Sequence, residues 1–230
     1  MLVRKYGPNP RGRDLVAGDV HGHYDALIKE LIRLGFRRDS DRLFFLGDLI
    51  DRGPDSFKCL QLVYQPWAAS VIGNHEQMMR AALSKSGTDR DLMHWIKNGG
   101  LWYLSEDDQP GVAQVGLDAI SRMPYAIELQ VGDKVLGMVH AEPPREGWDF
   151  LRSVTDWADD ELIEDVKEHM LWSRKRIRAN DAAIVSGIDA VVCGHTIVSD
   201  HVRLGNVSYI DTGAYREEGR LTVLDVRDLF

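Results

Sequence analysis

Cysteine is almost absent: the 230 residues hold only Cys59 and Cys193, too few for a disulfide framework. Cys59 falls in a helical pattern and Cys193 in an apolar run, so both read as small buried hydrophobes rather than redox groups. Long apolar stretches are missing too. None approaches the roughly 18 residues a membrane span needs. The opening Met1-Leu2-Val3-Arg4-Lys5-Tyr6-Gly7-Pro8 lacks the continuous apolar segment of a secretory leader. The expected location is therefore the cytoplasm, with no membrane partner. Positive charge is in deficit: 28 Lys and Arg against 36 Asp and Glu leave a net charge of −8. That balance argues against a general nucleic-acid binder. It also repels phosphorylated substrates at long range, so attraction for them has to be local. No repeat, low-complexity tract or linker divides the chain, which reads as one domain over residues 1–230. Its hydrophobic fraction of 44% is ordinary for a protein with a packed core.

What is there in abundance is a pattern. Three signatures stand in the first third: Gly18-Asp19-Val20-His21-Gly22, Gly47-Asp48-Leu49-Ile50-Asp51-Arg52-Gly53 and Gly73-Asn74-His75-Glu76. Each begins with Gly and follows an apolar run: Leu15-Val16-Ala17, Leu43-Phe44-Phe45-Leu46 and Val71-Ile72. Each reads as a buried strand ending in a tight turn. Helical spacing follows each turn, over Tyr24–Leu34, Ser56–Tyr64 and His75–Leu83, so the strands should pair in parallel. Asp89–Met123 reads as helical and amphipathic, with Trp95, Leu101 and Trp102 as packing anchors. From Tyr125 the period becomes two: Tyr125–Leu129 and Lys134–Val139 flank Gly132-Asp133 as a hairpin that runs into His140. Thr155–Glu168 reads as one surface helix. Ala190–Cys193 and Val207–Ile210 are further strands, leading into Gly194-His195-Thr196 and Asp211-Thr212-Gly213. Leu221–Val226 closes the chain as an edge or hairpin strand. The expected fold class is α/β, with two mainly mixed β-sheets packed as a sandwich and helices outside.

In α/β sheets, ligands bind where strands deliver their carboxyl ends. Asp19, His21, Asp48, Asn74 and His75 can therefore meet at one place. Singly, Asp19, Asp48 and Asn74 would be read as turn or capping residues. Their recurrence beside His at strand ends turns the reading toward metal chemistry. His140 alone would pass for a satisfied core histidine.

The order GDxHG, GDxxDRG, GNHE, an isolated His140 and GHT at 194–196 resembles the metallophosphoesterase superfamily. Within it, the chain is similar to the serine/threonine phosphoprotein phosphatases, in particular the bacterial and bacteriophage lambda branch. Gly73–Met79, Trp95–Gly100, Leu171-Trp172-Ser173-Arg174 and Tyr209–Ala214 carry that narrower likeness. The resemblance implies the calcineurin-like fold and two divalent ions. Asp19 and His21 would hold one ion, Asn74, His140 and His195 the other, and Asp48 would bridge them. Mixed oxygen and nitrogen donors suit Mn²⁺ best, with Fe or Zn as alternatives, over Ca²⁺. Two ions roughly 3.5–4 Å apart share a water and clamp phosphoryl oxygens; the resulting hydroxide attacks phosphorus in line, without a phosphoenzyme. His75 is implied as general acid and Asp51 as the group that orients it. Arg52, Arg174 and Asn74 are implied to bind the substrate phosphate, the arginines by their planar donor forks.

One position departs from the family pattern: Ile72 stands where many relatives carry Arg before GNHE. The expected substrate is a phosphoserine or phosphothreonine protein or peptide, with phosphotyrosine or phosphohistidine within range. A symmetrical dinucleoside-tetraphosphate hydrolase shares the metal motifs and is the alternative enzyme. Asp51 in DRG and Glu76 in GNHE weigh against it. A non-catalytic metal-binding scaffold is the alternative of another class; its signature, a lost ligand position, is missing.

Overall fold

Successive side chains of a strand point to opposite faces, and here both faces are covered. The computed structural model describes residues 2–230. Its strands are β1 (Val3–Tyr6), β2 (Asp14–Ala17), β3 (Arg42–Phe45), β4 (Ala68–Ser70), β5 (Ala126–Val131), β6 (Lys134–Val139), β7 (Ala190–Cys193), β8 (Val202–Leu204), β9 (Val207–Tyr209) and β10 (Val223–Asp225). They form two mixed sheets, ordered β10-β2-β3-β4 and β1-β5-β6-β7-β9-β8. The three strands that precede the signatures pair in parallel, Val16 opposite Phe44 and Phe44 opposite Ala69. Val16, Phe44, Leu46 and Val71 from one sheet pack with Ile127, Leu136, Met138 and Val192 from the other. The alternate residues Leu15, Ala17, Leu43 and Phe45 join a second cluster with helical Leu27, Leu31, Leu60 and Met79.

The strand–turn–helix expectations hold with small shifts. The first helix is Tyr24–Arg33, with Leu27 and Leu31 buried on one face, and Gly35 in left-handed backbone ends it. The second is a helix Ser56–Leu60 continued by a 3₁₀ turn Gln61–Tyr64. The third is Asn74–Leu83. The stretch after it divides into Asp89–Lys97, a 3₁₀ segment Gly100–Ser105, and Gln109–Ser121. The expected surface helix over 155–168 is instead two helices, Trp148–Trp157 and Asp160–Trp172. Asp159 breaks it: its carboxylate accepts from the Leu162 amide and starts a new helix. β1 and β8 are additions to the sequence reading, and the final strand is an edge, antiparallel to β2. No helix among the described residues is long and apolar enough to cross a membrane.

One polar knot fixes the start of β2. Asp41 is buried and accepts from the Arg13 amide (2.8 Å), Arg13 Nη2 (2.7 Å) and the Arg37 amide (3.1 Å). Burial opposes its charge, but those donors hold its carboxyl below the usual range. A depressed carboxyl stabilises the fold above its unfolded pKa, and that contribution disappears as pH falls through the folded value. Asp41→Asn turns an amide toward two donors. At neutral pH it should cost about 1–3 kcal/mol, each kcal/mol lowering Tm by roughly 2–4 °C in a chain of this size. Thermal melts from pH 7 to 3 should show the gap to wild type closing with acid; a constant gap would contradict the pairing.

Candidate metal centre

Backbone strain marks the site before any side chain is considered. Among the described residues six non-glycines lie in left-handed backbone, and five of them are His21, Asp48, Asp51, Arg52 and His195. Such conformations persist where the surroundings over-determine them, and they cluster at functional sites. Close approach explains the flanking glycines. A Cβ at Gly73 would stand 2.2 Å from Asp48 Oδ1, and one at Gly194 would stand 2.1 Å from Asp19 Oδ1.

Asp48 is the centre of the cluster. Its Oδ2 lies 3.7 Å from His21 Nε2, 3.9 Å from His75 Nε2 and 3.4 Å from His140 Nε2. Donor atoms of His21, Asp48 and His75 lie within 4.8 Å of one another, and so do those of Asp48, His140 and His195. Asp48 thus belongs to both groups. Asn74 Oδ1 lies 2.8 Å from His140 Nε2 and so faces the second group. Both oxygens of Asp19 accept from the His195 amide at 3.1 Å, which ties the first signature to the second group's loop; His75 also has a donor atom in the first group.

The donor set fits divalent ions. His21 Nδ1 donates to the Ile50 carbonyl (3.0 Å) and His140 Nδ1 to the Leu46 carbonyl (2.7 Å). Each bond fixes the ring so that Nε2 faces Asp48, as outer hydrogen bonds do for metal-binding imidazoles. His195 Nε2 is buried with no hydrogen-bond partner among the described residues. The His21 Nε2 lone pair, which accepts from Arg52 Nη1 at 2.7 Å, is the atom an ion would take. Burial, with the neighbouring cationic groups, pushes His21 down to about 3 and His195 down to about 2, leaving neutral rings. Burial also opposes the charge of Asp48, yet the imidazoles of His140, His75 and His21 hold it well below the usual carboxylate range. A charged oxygen donor beside the neutral nitrogens of His21 and His195 is what Mn, Fe or Zn accepts. Burial and the charges of Asp211 and Asp48 raise Asp19 well above its ordinary value.

The remaining expected residues converge. Asp51 Oδ2 lies 2.6 Å from His75 Nδ1, which donates to it, and His75 Nε2 accepts from Arg52 Nη2 at 3.0 Å. Arg52, Asn74, His75, Arg174 and His195 line one cleft of about 460 Å³. Arg174 is half-buried and reaches toward the His195 carbonyl at 3.5 Å. Ile72 is fully buried beside the core, so it adds nothing to the cleft.

Five supporting residues have no site role in the sequence reading. Glu76, at the third helical position, accepts from the amides of Asp48 (2.8 Å), Leu49 (2.8 Å), Ile50 (3.3 Å) and Gly73 (2.9 Å). It ties the second signature to the third; burial and the charge of Asp48 push it up to about 7. Its place three residues after the helix-capping Gly73 is a readable signal. Trp95 and Trp102, expected only to pack, also donate their indole N–H to Asp51, at 3.0 and 2.7 Å. A buried indole N–H needs such a partner. Glu142, two residues after His140, accepts from Ser173 Oγ (2.6 Å) and the Arg176 amide (2.8 Å), and so positions the segment bearing Arg174. Tyr215 stacks under Arg52, 4.3 Å from ring centre to guanidinium carbon, and edges onto His21.

Residues 13–199 match the model of the calcineurin-like phosphoesterases. Serine/threonine-protein phosphatase 2 of Salmonella typhimurium is 33% identical over 205 residues, covering 87% of each chain. An asymmetrical bis(5'-nucleosyl)-tetraphosphatase, PrpE of Bacillus subtilis, is 27% identical over 212 residues, covering 86% of this chain and 84% of its own. A solved structure described provisionally as a diadenosine tetraphosphatase superposes with a TM-score of 0.65 at 23% identity, over 96% of this chain and 92% of the other; that likeness concerns the fold. Signatures, sheet order and the paired His/Asp clusters agree with the family match: the chain belongs to the calcineurin-like phosphoesterase family.

Proposed function

We propose that the chain, acting as one catalytic unit over residues 1–230, hydrolyses phosphoserine and phosphothreonine esters in proteins and peptides. The observation that carries this is His75, held by the buried Asp51 behind it, on the wall of a cleft that also holds the shared Asp48. Asp19, His21, Asp48, Asn74, His140 and His195 would hold two divalent ions. When bound, such ions polarise phosphoryl oxygens and make water a nucleophile near neutral pH. The chain does the rest. Arg52 and Arg174 grip the phosphate through their donor forks, and Asn74 contributes its amide. In its imidazolium form, with the Nε2–H turned from Arg52 to the leaving group, His75 gives that proton to the departing serine oxygen and becomes neutral, while Asp51 accepts from Nδ1 and keeps Nε2 aimed at the cleft. The two indoles on Asp51 hold that carboxylate in place.

The test is a substrate panel on metal-stripped protein with Mn²⁺, Mg²⁺, Zn²⁺ and Fe²⁺ added back. Expected are no turnover without metal, the highest with Mn²⁺, and faster hydrolysis of phosphoserine peptide than of a dinucleoside tetraphosphate. Full activity in protein shown metal-free by elemental analysis would refute the metal assignment. A reversed substrate order would favour the tetraphosphatase reading.

A further inference from the structure

The cleft is lined by four arginines: Arg52, Arg174, Arg178 and Arg216. The first two suffice for a phosphate monoester. The other two approach from different parts of the chain. Arg178 ends the short helix Lys175–Arg178, and Arg216 lies on the turn that follows Asp211-Thr212-Gly213. Both are exposed, and neither side chain has a hydrogen-bond or carboxylate partner among the described residues. Glu217 and Glu218 follow Arg216 in sequence but do not line the cleft. Arg174 is held below its ordinary value by burial first and then by the charge of Arg178. Like charges placed this close repel, and this chain, with its excess of acids, has carboxylates enough to have paired them. The space is also larger than one phosphate needs: about 460 Å³ lies in the range that accommodates a drug-sized ligand. Trp172 and Tyr215 give it flat walls.

We infer that Arg178 and Arg216 form a second anion site at the cleft rim, selecting phosphopeptides that carry another negative group, a phosphoserine or an acidic side chain, beside the scissile phosphate. This rests on the phosphoprotein reading above. Exposed ion pairs are individually weak, so two contacts should favour an acidic-flanked peptide over its neutral-flanked match by roughly three- to thirty-fold in kcat/KM. The preference should shrink at high salt.

The experiment compares matched phosphoserine peptides with Gln, Glu or a second phosphoserine next to the target, on metal-loaded wild type and on Arg178→Gln/Arg216→Gln. Wild type should prefer the acidic peptides, and the ratio should fall toward one in the double variant. Arg178→Glu should turn the preference toward a Lys-flanked peptide. Equal kcat/KM for neutral and acidic peptides in wild type, or an unchanged ratio in the double variant, overturns the rim site and leaves the phosphatase reading intact. If no peptide is turned over while a dinucleoside tetraphosphate is, both fall.

Discussion

His75→Asn should keep the fold and the metal content yet lose about 10²–10⁴-fold in turnover on phosphoserine peptides, the usual contribution of a positioned general acid. The deficit should shrink for para-nitrophenyl phosphate. Nitrophenolate is a weak base and departs without a proton, whereas a serine alkoxide does not. Asp51→Asn should show a milder form of the same dependence, because Asp51 acts only through the imidazole it holds at 2.6 Å. A series of alkyl and aryl phosphates on wild type and both variants measures this. A deficit equal across the series would remove the acid role. Loss of metal from the His75 variant would make it a ligand, a competing role its place beside Asp48 and His21 makes concrete.

Asp48→Asn should be the most damaging change to metal binding. Its carboxylate belongs to both donor clusters and carries the charge they share. Asn is the instructive replacement, since it retains an oxygen for the His75 amide that now donates to Oδ1 at 3.0 Å. Both ions should be lost, and activity should fall by more than the roughly 10–100-fold that changes to outer-shell partners typically cost. Asn74→Ala, which removes one neutral donor, should be milder. Mass spectrometry of bound metal decides: two ions kept in the Asp48 variant and lost in the Asn74 variant would reverse the assignment.

The parts of this fold that were legible are those where local pattern and final environment agree. Apolar runs ending in Gly-Asp become β2 and β3 with their turns, because both faces of those strands are buried; Val71-Ile72 lies just past β4, whose two alanines are half-buried. β1 was not legible: Val3-Arg4-Lys5-Tyr6 is a half-exposed edge whose charges hide the strand. β8 is three residues long, too short to display a period. The break at Asp159 shows a capping carboxylate prevailing over a continuous helical pattern. At the site, residue types were readable but partners were not. Asp51 meets Trp95 and Trp102 across 44 and 51 residues, and Glu142 meets Ser173 across 31. No window of sequence contains such pairs. Asp19 was readable as a site residue, whereas its turn toward the His195 amide depends on a residue 176 positions away.

The left-handed backbone at His21, Asp48, Asp51, Arg52 and His195 has an evolutionary consequence. Each such residue burdens the folded state by roughly 1–3 kcal/mol, which selection tolerates only while turnover matters. Glycine relieves that strain, so His195→Gly or Asp51→Gly should lower activity with less thermal penalty than the alanine counterparts. A lineage released from the need for catalysis therefore has an easy downhill route: inactive descendants with glycine at these turns would keep the sandwich and withstand heat better. Sturdy relatives that bear glycines in place of His or Asp are thus the expected form of decay in this architecture.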